Sequence, residues 1–199
     1  MLLPKILGEQ GTAHSWRLHA YRGIGKVPPN LTGKSDPDKR NLLQELPRLL
    51  NGYGKSLGTD AVVVVVDTDQ RDYKTFLREL DELLQKCKTK PKVTLFRLAV
   101  EEMEAWYLGD RAAVLAAYPD AKKAVLNRYK QDSVCGTWEL LADAVYPGGA
   151  KAIKDAGWPL PGQIKHQFAD HIGPHLDVRR KRLPELSQAD RGGCGVLVA

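Results

Sequence analysis

VVVVVDTD, at residues 62–69, is the segment from which the architecture of this chain is most directly predicted. Five consecutive β-branched residues leave no polar face, so the run is typical of a strand covered on both sides, as in the centre of a parallel α/β sheet. Asp67 and Asp69 follow this strand directly. Ligands of open α/β sheets bind outside the carboxyl ends of the strands, so a functional site is expected at these two carboxylates.

The segments around the valine run alternate between strand and helix patterns. Leucines at helical spacing predict an amphipathic helix over residues 41–51, and apolar residues predict a second over residues 76–84. Residues 93–100 predict the next strand, and residues 16–21 alternate enough to predict a strand near the amino end. This order predicts an α/β fold, with a parallel sheet flanked by helices and right-handed crossovers.

The pattern becomes helical after residue 100. We therefore expect an α/β domain over residues 1–120 and a helical carboxyl-terminal extension over residues 121–199 that packs on it. The helices predicted here cover residues 102–115, 121–129, 138–145, 150–156 and 163–172.

The composition is that of an ordinary globular protein and excludes few function classes. No apolar stretch approaches the roughly 20 residues that span a bilayer, and no signal peptide is recognisable, so we expect no membrane partner. The three cysteines lack a CxxC pair, which indicates reduced thiols and a cytoplasmic location. A net charge of +6 permits an anionic partner without requiring one.

The charge is unevenly distributed along the chain. Residues 151–182 collect lysines, arginines and histidines, including Arg179 and Arg180, whereas residues 67–110 are rich in acids. A basic flank beside an acidic metal site suits phosphodiester chemistry, because the flank attracts the nucleic-acid backbone while the metal neutralises the reacting phosphate. A chance distribution of charge in a globular protein explains the same asymmetry, and the sequence leaves both readings open.

A second acidic cluster, Glu101, Glu102 and Glu104, follows the strand predicted at residues 93–100. Neighbouring parallel strands lie about 4.8 Å apart, so side chains at their ends can converge on one ion. If a helix begins near Glu101, then Glu101 and Glu104 share a face. Acidic residues also stabilise helix amino termini, which is the alternative. We predict that at least one glutamate joins the two aspartates around a hard divalent cation.

The combination of motifs resembles an uncharacterised bacterial family of Toprim-related proteins. The resemblance is carried by Tyr21-Arg22-Gly23, by VVVVVDTDQRD and by VEEMEAWYLGD, that is, an Asp-x-Asp after the central strand and a Glu-Ala-Trp before a Gly-Asp. It continues through QDSVCGTW at residues 131–138 and GPHLDV at residues 173–178, so it covers most of the chain.

The resemblance implies a Toprim-like fold and a metal-dependent nuclease, or a related phosphoryl-transfer enzyme acting on nucleic acid. It further implies Mg²⁺ or Mn²⁺ as cofactor, an AAA-type ATPase as partner and a role in phage defence. Asp67 and Asp69 match the family's Asp-x-Asp, and Glu104 matches the glutamate before the tryptophan. Lys165 lies near a lysine found late in the family and is the candidate for contacting the scissile phosphate.

Two departures from the family pattern favour another function. The family opens with a strand ending in a glutamate, whereas this sequence begins with what resembles the end of the following helix. Residues 182–199 lack the family's Ser-Pro-Ser-Phe-like stretch, and a frameshift would explain this. The alternative is therefore a catalytically inactive regulatory or binding subunit of an ATPase-linked complex. A receiver-type or haloacid-type phosphohydrolase also places aspartates after a central strand, but its later Lys and Thr/Ser have no match here.

Overall fold

The computed structural model describes residues 3–9, 11–12, 14–28, 31, 41–56, 61–131, 136–178 and 196–198. The chain divides into two compact units, which we call the sheet unit (residues 9–98 and 192–199) and the helical unit (residues 1–8 and 99–191). The mixed α/β class predicted from the sequence is confirmed. The predicted domain boundary after residue 120 stays a prediction. Of the helices in the described ranges, none combines the length and apolar character that a bilayer crossing requires.

The valine run forms the central strand of the sheet unit. The sheet has the order β2-β1-β3, and β1 pairs with β3 in parallel. These strands are β1 Ala61–Asp67, β2 Val93–Ala99 and β3 Val196–Val198. Val63 and Val64 point to opposite faces of the strand, and both are buried, with exposed fractions of 6 % and 0 %. The strand is therefore covered on both sides, as its composition predicted.

Two helices supply the rest of the core of the sheet unit: α2 Leu42–Tyr53 and α3 Tyr73–Lys86. Asp72 caps α3, since its side chain accepts a hydrogen bond from Thr75 N at 2.9 Å. The apolar residues of both helices recur at helical spacing and are buried in one cluster with the valines. The largest of them are Leu43, Leu46, Leu50, Phe76, Leu80 and Leu83.

The prediction of a strand over residues 16–21 is wrong. These residues form no strand, and only an isolated bridge occurs at Leu18. Arg17 and His19 are exposed, and Leu18 is 60 % exposed. Alternation stabilises a strand only when one face is buried against a neighbour, and the side chains of residues 17–20 are all exposed.

The helical unit is built from short helices around its own apolar core. Leu108, Val114, Leu141, Ile153 and Phe168 are among the fully buried residues of this core. The elements are α1 Leu3–Leu7, α4 Glu104–Gly109, α5 Arg111–Ala117, α6 Lys123–Leu126, α7 Thr137–Val145, α8 Gly149–Ala156, α9 Leu160–Ile172 and a 3-10 turn Gly173–His175.

The single helix predicted over residues 102–115 is two helices, α4 and α5, separated at Asp110. The backbone of Asp110 leaves the helical conformation, with φ −114° and ψ 76°. Its Oδ1 accepts a hydrogen bond from Ala113 N at 3.2 Å, and its Oδ2 accepts one from Asp177 N at 3.0 Å. An aspartate that caps a new helix start explains the break, which apolar periodicity alone does not reveal.

Candidate functional site

Asp67 and Asp69 lie at the carboxyl end of β1, in a turn that half-buries the first and exposes the second. Thr68 between them is buried, with an exposed fraction of 1 %. Asp69 has φ +50°, a left-handed conformation that aspartate adopts more readily than most residues. The turn is closed by Arg71 N, which donates to Thr68 O at 3.0 Å. Two acidic groups therefore end the central strand, where the sequence predicted them.

Arg71 is a second feature of this turn, and the sequence motifs did not single it out. Its Nη2 donates to Gly25 O at 3.1 Å, and its Cζ lies 4.7 Å from the centre of the Phe76 ring. Its Nη1 is buried and has no hydrogen-bond partner among the residues that the structure describes. Arg71 lines a cleft of about 460 Å³ beside α3, together with Lys26, Leu43, Phe76 and Glu79. A fixed cation thus lies two residues after the exposed Asp69.

Glu101 and Glu102, in the helical unit, contact the amino terminus of α7. The carboxylate of Glu101 accepts from Gly136 N and from Thr137 N, the latter at 3.2 Å. Glu102 Oε2 accepts from Thr137 Oγ1 and Trp138 N, both at 3.3 Å. Both carboxylates therefore satisfy amide groups that a helix start leaves unpaired, and the macrodipole favours them there. The helix that they stabilise is α7, and not a helix beginning at Glu101 as the sequence-based alternative had it.

The backbone at Glu101 corrects one sequence-based premise. Glu101 has φ +66°, which is outside the helical region, and α4 begins only at Glu104. Glu101 and Glu104 therefore do not share a helix face, since a helix starting near Glu101 was the condition for it. The role of Glu101 as a metal ligand stays a prediction, although its two oxygens already accept hydrogen bonds.

Lys165, on α9, forms an ion pair with Glu102, with Nζ 2.7 Å from Oε1. The side chains are 36 % and 19 % exposed, respectively. Lys165 Nζ also lies 5.3 Å from the centre of the Trp138 ring, and Lys154 Nζ lies 5.2 Å from the same ring. Trp138 is thus a shared cation–π partner for two lysines. The position of Lys165 is therefore fixed by these contacts, and its positive charge is already compensated by Glu102.

Glu104 is the buried acid of this group, with an exposed fraction of 5 %. Burial raises the pKa of Glu104 above its ordinary value, because the charged form loses its water. The positive charge of Lys165 opposes this rise in pKa, whereas the negative charges of Glu102 and Glu139 add to it. A carboxyl group that holds its proton to higher pH can act as a proton donor.

The structure brings some predicted site residues together and leaves others untested. Within the helical unit, Lys165 and Glu104 are close enough to interact electrostatically, and Glu102 joins them. Asp67 and Asp69 belong to the sheet unit, whereas Glu101, Glu104 and Lys165 belong to the helical unit. A site that combines the aspartates with these residues therefore stays a prediction.

The donor set limits the type of cation site. Considering the described residues of either unit, no group of three or more His, Cys, Asp or Glu side chains is placed to hold a metal ion. Mg²⁺ commonly uses only one or two carboxylates and completes its octahedral shell with water and substrate phosphate. Asp67 and Asp69 match a Mg²⁺ site of this kind. They are too few to form a metal site in which every ligand comes from the protein.

The basic flank predicted at residues 151–182 is largely neutralised where the structure describes it. Lys151 forms an ion pair with Asp155, and Lys154 Nζ lies 2.8 Å from Glu139. His166 lies 3.4 Å from Asp170. Arg179, Arg180 and Arg182 lie outside the described residues. The flank therefore offers less uncompensated charge than its composition indicated.

Comparison of the chain with family models, curated proteins and solved structures gives no significant match.

Proposed function

We propose that this chain is a Mg²⁺- or Mn²⁺-dependent enzyme with a Toprim-like fold that transfers phosphoryl groups in nucleic acid, most simply as a nuclease. The observation that carries the proposal is the turn after β1, where Asp67 and Asp69 end the central strand of the sheet. In α/β sheets this end of a central strand is the usual location of ligands.

Asp67 and Asp69 would hold the cation, with water and a phosphate oxygen as its remaining ligands. When bound, such a cation polarises the phosphodiester and lowers the pKa of an attacking water. The left-handed turn at Asp69 supports this role because it keeps one carboxylate exposed to a substrate. Arg71 follows closely in the chain and adds a fixed positive charge on the same turn.

The family resemblance implies that Glu104 completes or orients the site and that Lys165 contacts the scissile phosphate. Because these two residues belong to the helical unit and the aspartates to the sheet unit, both roles stay predictions.

One observation favours a second candidate, a non-catalytic regulatory or binding subunit of an ATPase-linked complex. The carboxylates of Glu101 and Glu102 accept hydrogen bonds from the start of α7, and Lys165 is paired with Glu102. These three residues are thus accounted for by stabilisation of the helical unit. In this role the chain would bind its partners without cleaving nucleic acid.

The test is cleavage of plasmid and linear nucleic acid with Mg²⁺ or Mn²⁺, together with direct titration of Mn²⁺ by its paramagnetic resonance signal. The Asp67→Asn/Asp69→Asn variant should lose both cleavage and Mn²⁺ binding. The matched control is Asp81→Asn/Glu82→Gln, which removes two exposed charges from α3 and should keep both activities. Mn²⁺ binding without cleavage would favour the non-catalytic subunit, and equal binding by all three proteins would refute the Asp67–Asp69 site.

A further inference from the structure

The sheet unit carries a row of exposed lysines at one end of α3, which we call the lysine ridge. It consists of Lys86, Lys88, Lys90 and Lys92, with Lys55 beside them. The four lysines from Lys86 to Lys92 occupy every second position and are exposed. The residues between them are less exposed: Cys87 and Pro91 are buried, and Thr89 is half-buried. The lysine side chains therefore face solvent while the intervening residues hold the segment against the protein.

The ridge is attached to α2 by specific contacts. Thr89 N donates to Asn51 Oδ1 at 3.1 Å, and Thr89 Oγ1 donates to Asn51 O at 2.8 Å. Gly54 lies so close that a Cβ on it would be 2.7 Å from Lys90 Cα. Lys55 follows Gly54 directly, which brings the fifth lysine to the ridge. The lysines therefore lie on a segment whose backbone is held by these contacts, so little backbone entropy is lost when a ligand binds.

Three lysines of the ridge differ from Lys151, Lys154 and Lys165 of the helical unit in how their charges are compensated. Among residues whose structure is described, Lys55, Lys86 and Lys88 form no ion pair with a carboxylate. Lys151, Lys154 and Lys165 of the helical unit each form one. Residues 9–98 contain 16 Lys and Arg against 11 Asp and Glu, whereas residues 1–8 and 99–191 contain 14 against 13. A polyanion is therefore attracted more strongly to the sheet unit.

Stabilisation of helix ends explains only part of the ridge. The carboxyl termini of α2 and α3 both lie here, and each contributes roughly half a negative charge that nearby lysines complement. The effect is confined to the last turn of a helix, so it accounts for Lys86 at the end of α3 and for Lys55 and Lys90 at the end of α2, but not for Lys88 and Lys92. Two half-charges are also fewer than the three positive charges of Lys55, Lys86 and Lys88.

We propose that the lysine ridge binds the phosphate backbone of nucleic acid without reading its sequence. Lysines on a surface give the salt-dependent, sequence-independent attraction typical of such contacts. A membrane surface is less well matched, because helices that bind lipid present an apolar face beside the basic one. The residues between the ridge lysines are instead turned inward. This inference shares the nucleic-acid substrate of the proposed function, but it depends on neither the cation nor cleavage.

The experiment measures binding of a fluorescent DNA duplex and a single strand by anisotropy, in EDTA, between about 50 and 200 mM salt. The ridge variant replaces Lys86, Lys88, Lys90 and Lys92 with Gln. We expect its affinity at low salt to fall at least about tenfold, and the slope of log K against log salt to become shallower by up to about 3.6 for the duplex, because each lost phosphate contact contributes about 0.9.

Three controls separate the ridge from net charge, folding and catalysis. A variant with Gln at Lys122, Lys123, Arg128 and Lys151 removes the same charge from the helical unit and should bind within about threefold of the original chain, because it leaves all the ridge lysines in place. A variant with Arg at Lys86, Lys88, Lys90 and Lys92 retains the charge, so it should keep the slope of log K against log salt. Asp67→Asn/Asp69→Asn should keep binding, so a failed cleavage assay and a failed binding assay are told apart.

Each of several outcomes would overturn the proposal. An equal loss of affinity in the ridge variant and in the helical-unit control would attribute binding to net charge alone. Absence of binding to either nucleic acid at low salt would remove the ridge as a nucleic-acid surface. Ridge-dependent binding to phosphatidylserine vesicles without binding to nucleic acid would reassign it to a membrane surface. Loss of binding in the all-Arg variant, which retains the charge, would point to a structural role of the lysines.

Discussion

Glu102 and Lys165 are 63 residues apart in the sequence and form an ion pair, with Lys165 Nζ 2.7 Å from Glu102 Oε1. The same Glu102 carboxylate accepts hydrogen bonds from Thr137 and Trp138 at the start of α7. One side chain thus joins α9, α7 and the segment before α4. The helical unit is held together at this point by polar contacts as well as by its apolar core.

The first prediction concerns these two residues. Glu102→Ala removes the ion pair and the α7 contacts, and it should lower the free energy of unfolding by about 2 kcal/mol, as for the loss of a helix cap plus a salt bridge. Lys165→Met removes the ion pair and the cation–π contact with Trp138 but keeps the α7 contacts, and it should cost about 1 kcal/mol. Urea unfolding followed by circular dichroism measures both values. Lys151→Met, which breaks the exposed pair with Asp155, is the control and should change little. Equal losses for the Glu102 and Lys165 variants would assign no stability to the α7 contacts.

The second prediction concerns the pH dependence contributed by Glu104. Burial raises its pKa in the folded chain, so the folded state holds this proton more tightly than the unfolded state does. The resulting stability is fully present below the unfolded pKa and is lost as the pH rises through the folded pKa. Glu104→Gln cannot ionise, so it should match the original chain at low pH and exceed its stability above the folded pKa.

The gain from Glu104→Gln should be about 1.4 kcal/mol for each unit by which the pKa is raised. Thermal unfolding at a series of pH values measures it. Glu79→Gln, at an exposed position on α3, is the matched control. A pH-dependent gain of the same size in the control would show that burial of Glu104 is not the cause.

The third prediction concerns Asp110, which is 1 % exposed and accepts hydrogen bonds from Ala113 N and Asp177 N. Asp110→Asn keeps one acceptor oxygen but places an NH₂ group against a backbone N–H. We expect a loss of about 1–3 kcal/mol, the cost of a buried donor without an acceptor. Asp72→Asn, at the exposed cap of α3, should cost less than about 1 kcal/mol. A loss at Asp110 no larger than at Asp72 would contradict the buried contacts.

The fourth prediction compares two glycines at the end of α2. A Cβ on Gly52 would meet nothing within 4 Å, so Gly52→Ala should stabilise the chain by about 0.5–1 kcal/mol through helix propensity. A Cβ on Gly54 would meet the backbone of Lys90, so Gly54→Ala should destabilise it by about 1–3 kcal/mol. Urea unfolding of both variants is the measurement. Stabilisation by Gly54→Ala would show that the lysine ridge does not pack against α2 in this way.

Local patterns in the sequence predicted β1, β2, α2 and α3 of the sheet unit, but not β3, which lies in the segment expected to form a helical extension. The valine run has no polar face and became the buried central strand, and the leucine spacing of α2 and α3 matches their buried faces. The prediction failed at residues 16–21, because alternation says nothing about whether a partner surface exists. It also missed the division of α4 from α5, which depends on the contact between Asp110 and Asp177.

The sequence located some residues of the candidate site but did not reveal the contacts of the others. The aspartates at the end of β1 could be located because strand ends are visible in the sequence. The environment of the glutamates could not, since Glu101 adopts a left-handed conformation and contacts residues more than 30 positions away. Arg71 lies within the VVVVVDTDQRD segment, but the motif gave it no role, and its position depends on a contact with Gly25, which is 46 residues earlier.

Periodicity and side-chain shape act over a few neighbouring residues, so the sequence alone determined β1, β2, α2 and α3, their apolar faces, and the two aspartates at the end of a buried strand. Only the tertiary structure decided that Glu102 binds Lys165 and the start of α7, that Glu104 is buried with a raised pKa, and that alternating lysines stand exposed against α2. These properties arise from contacts between distant segments, whose free energies depend on burial and distance rather than on spacing along the chain.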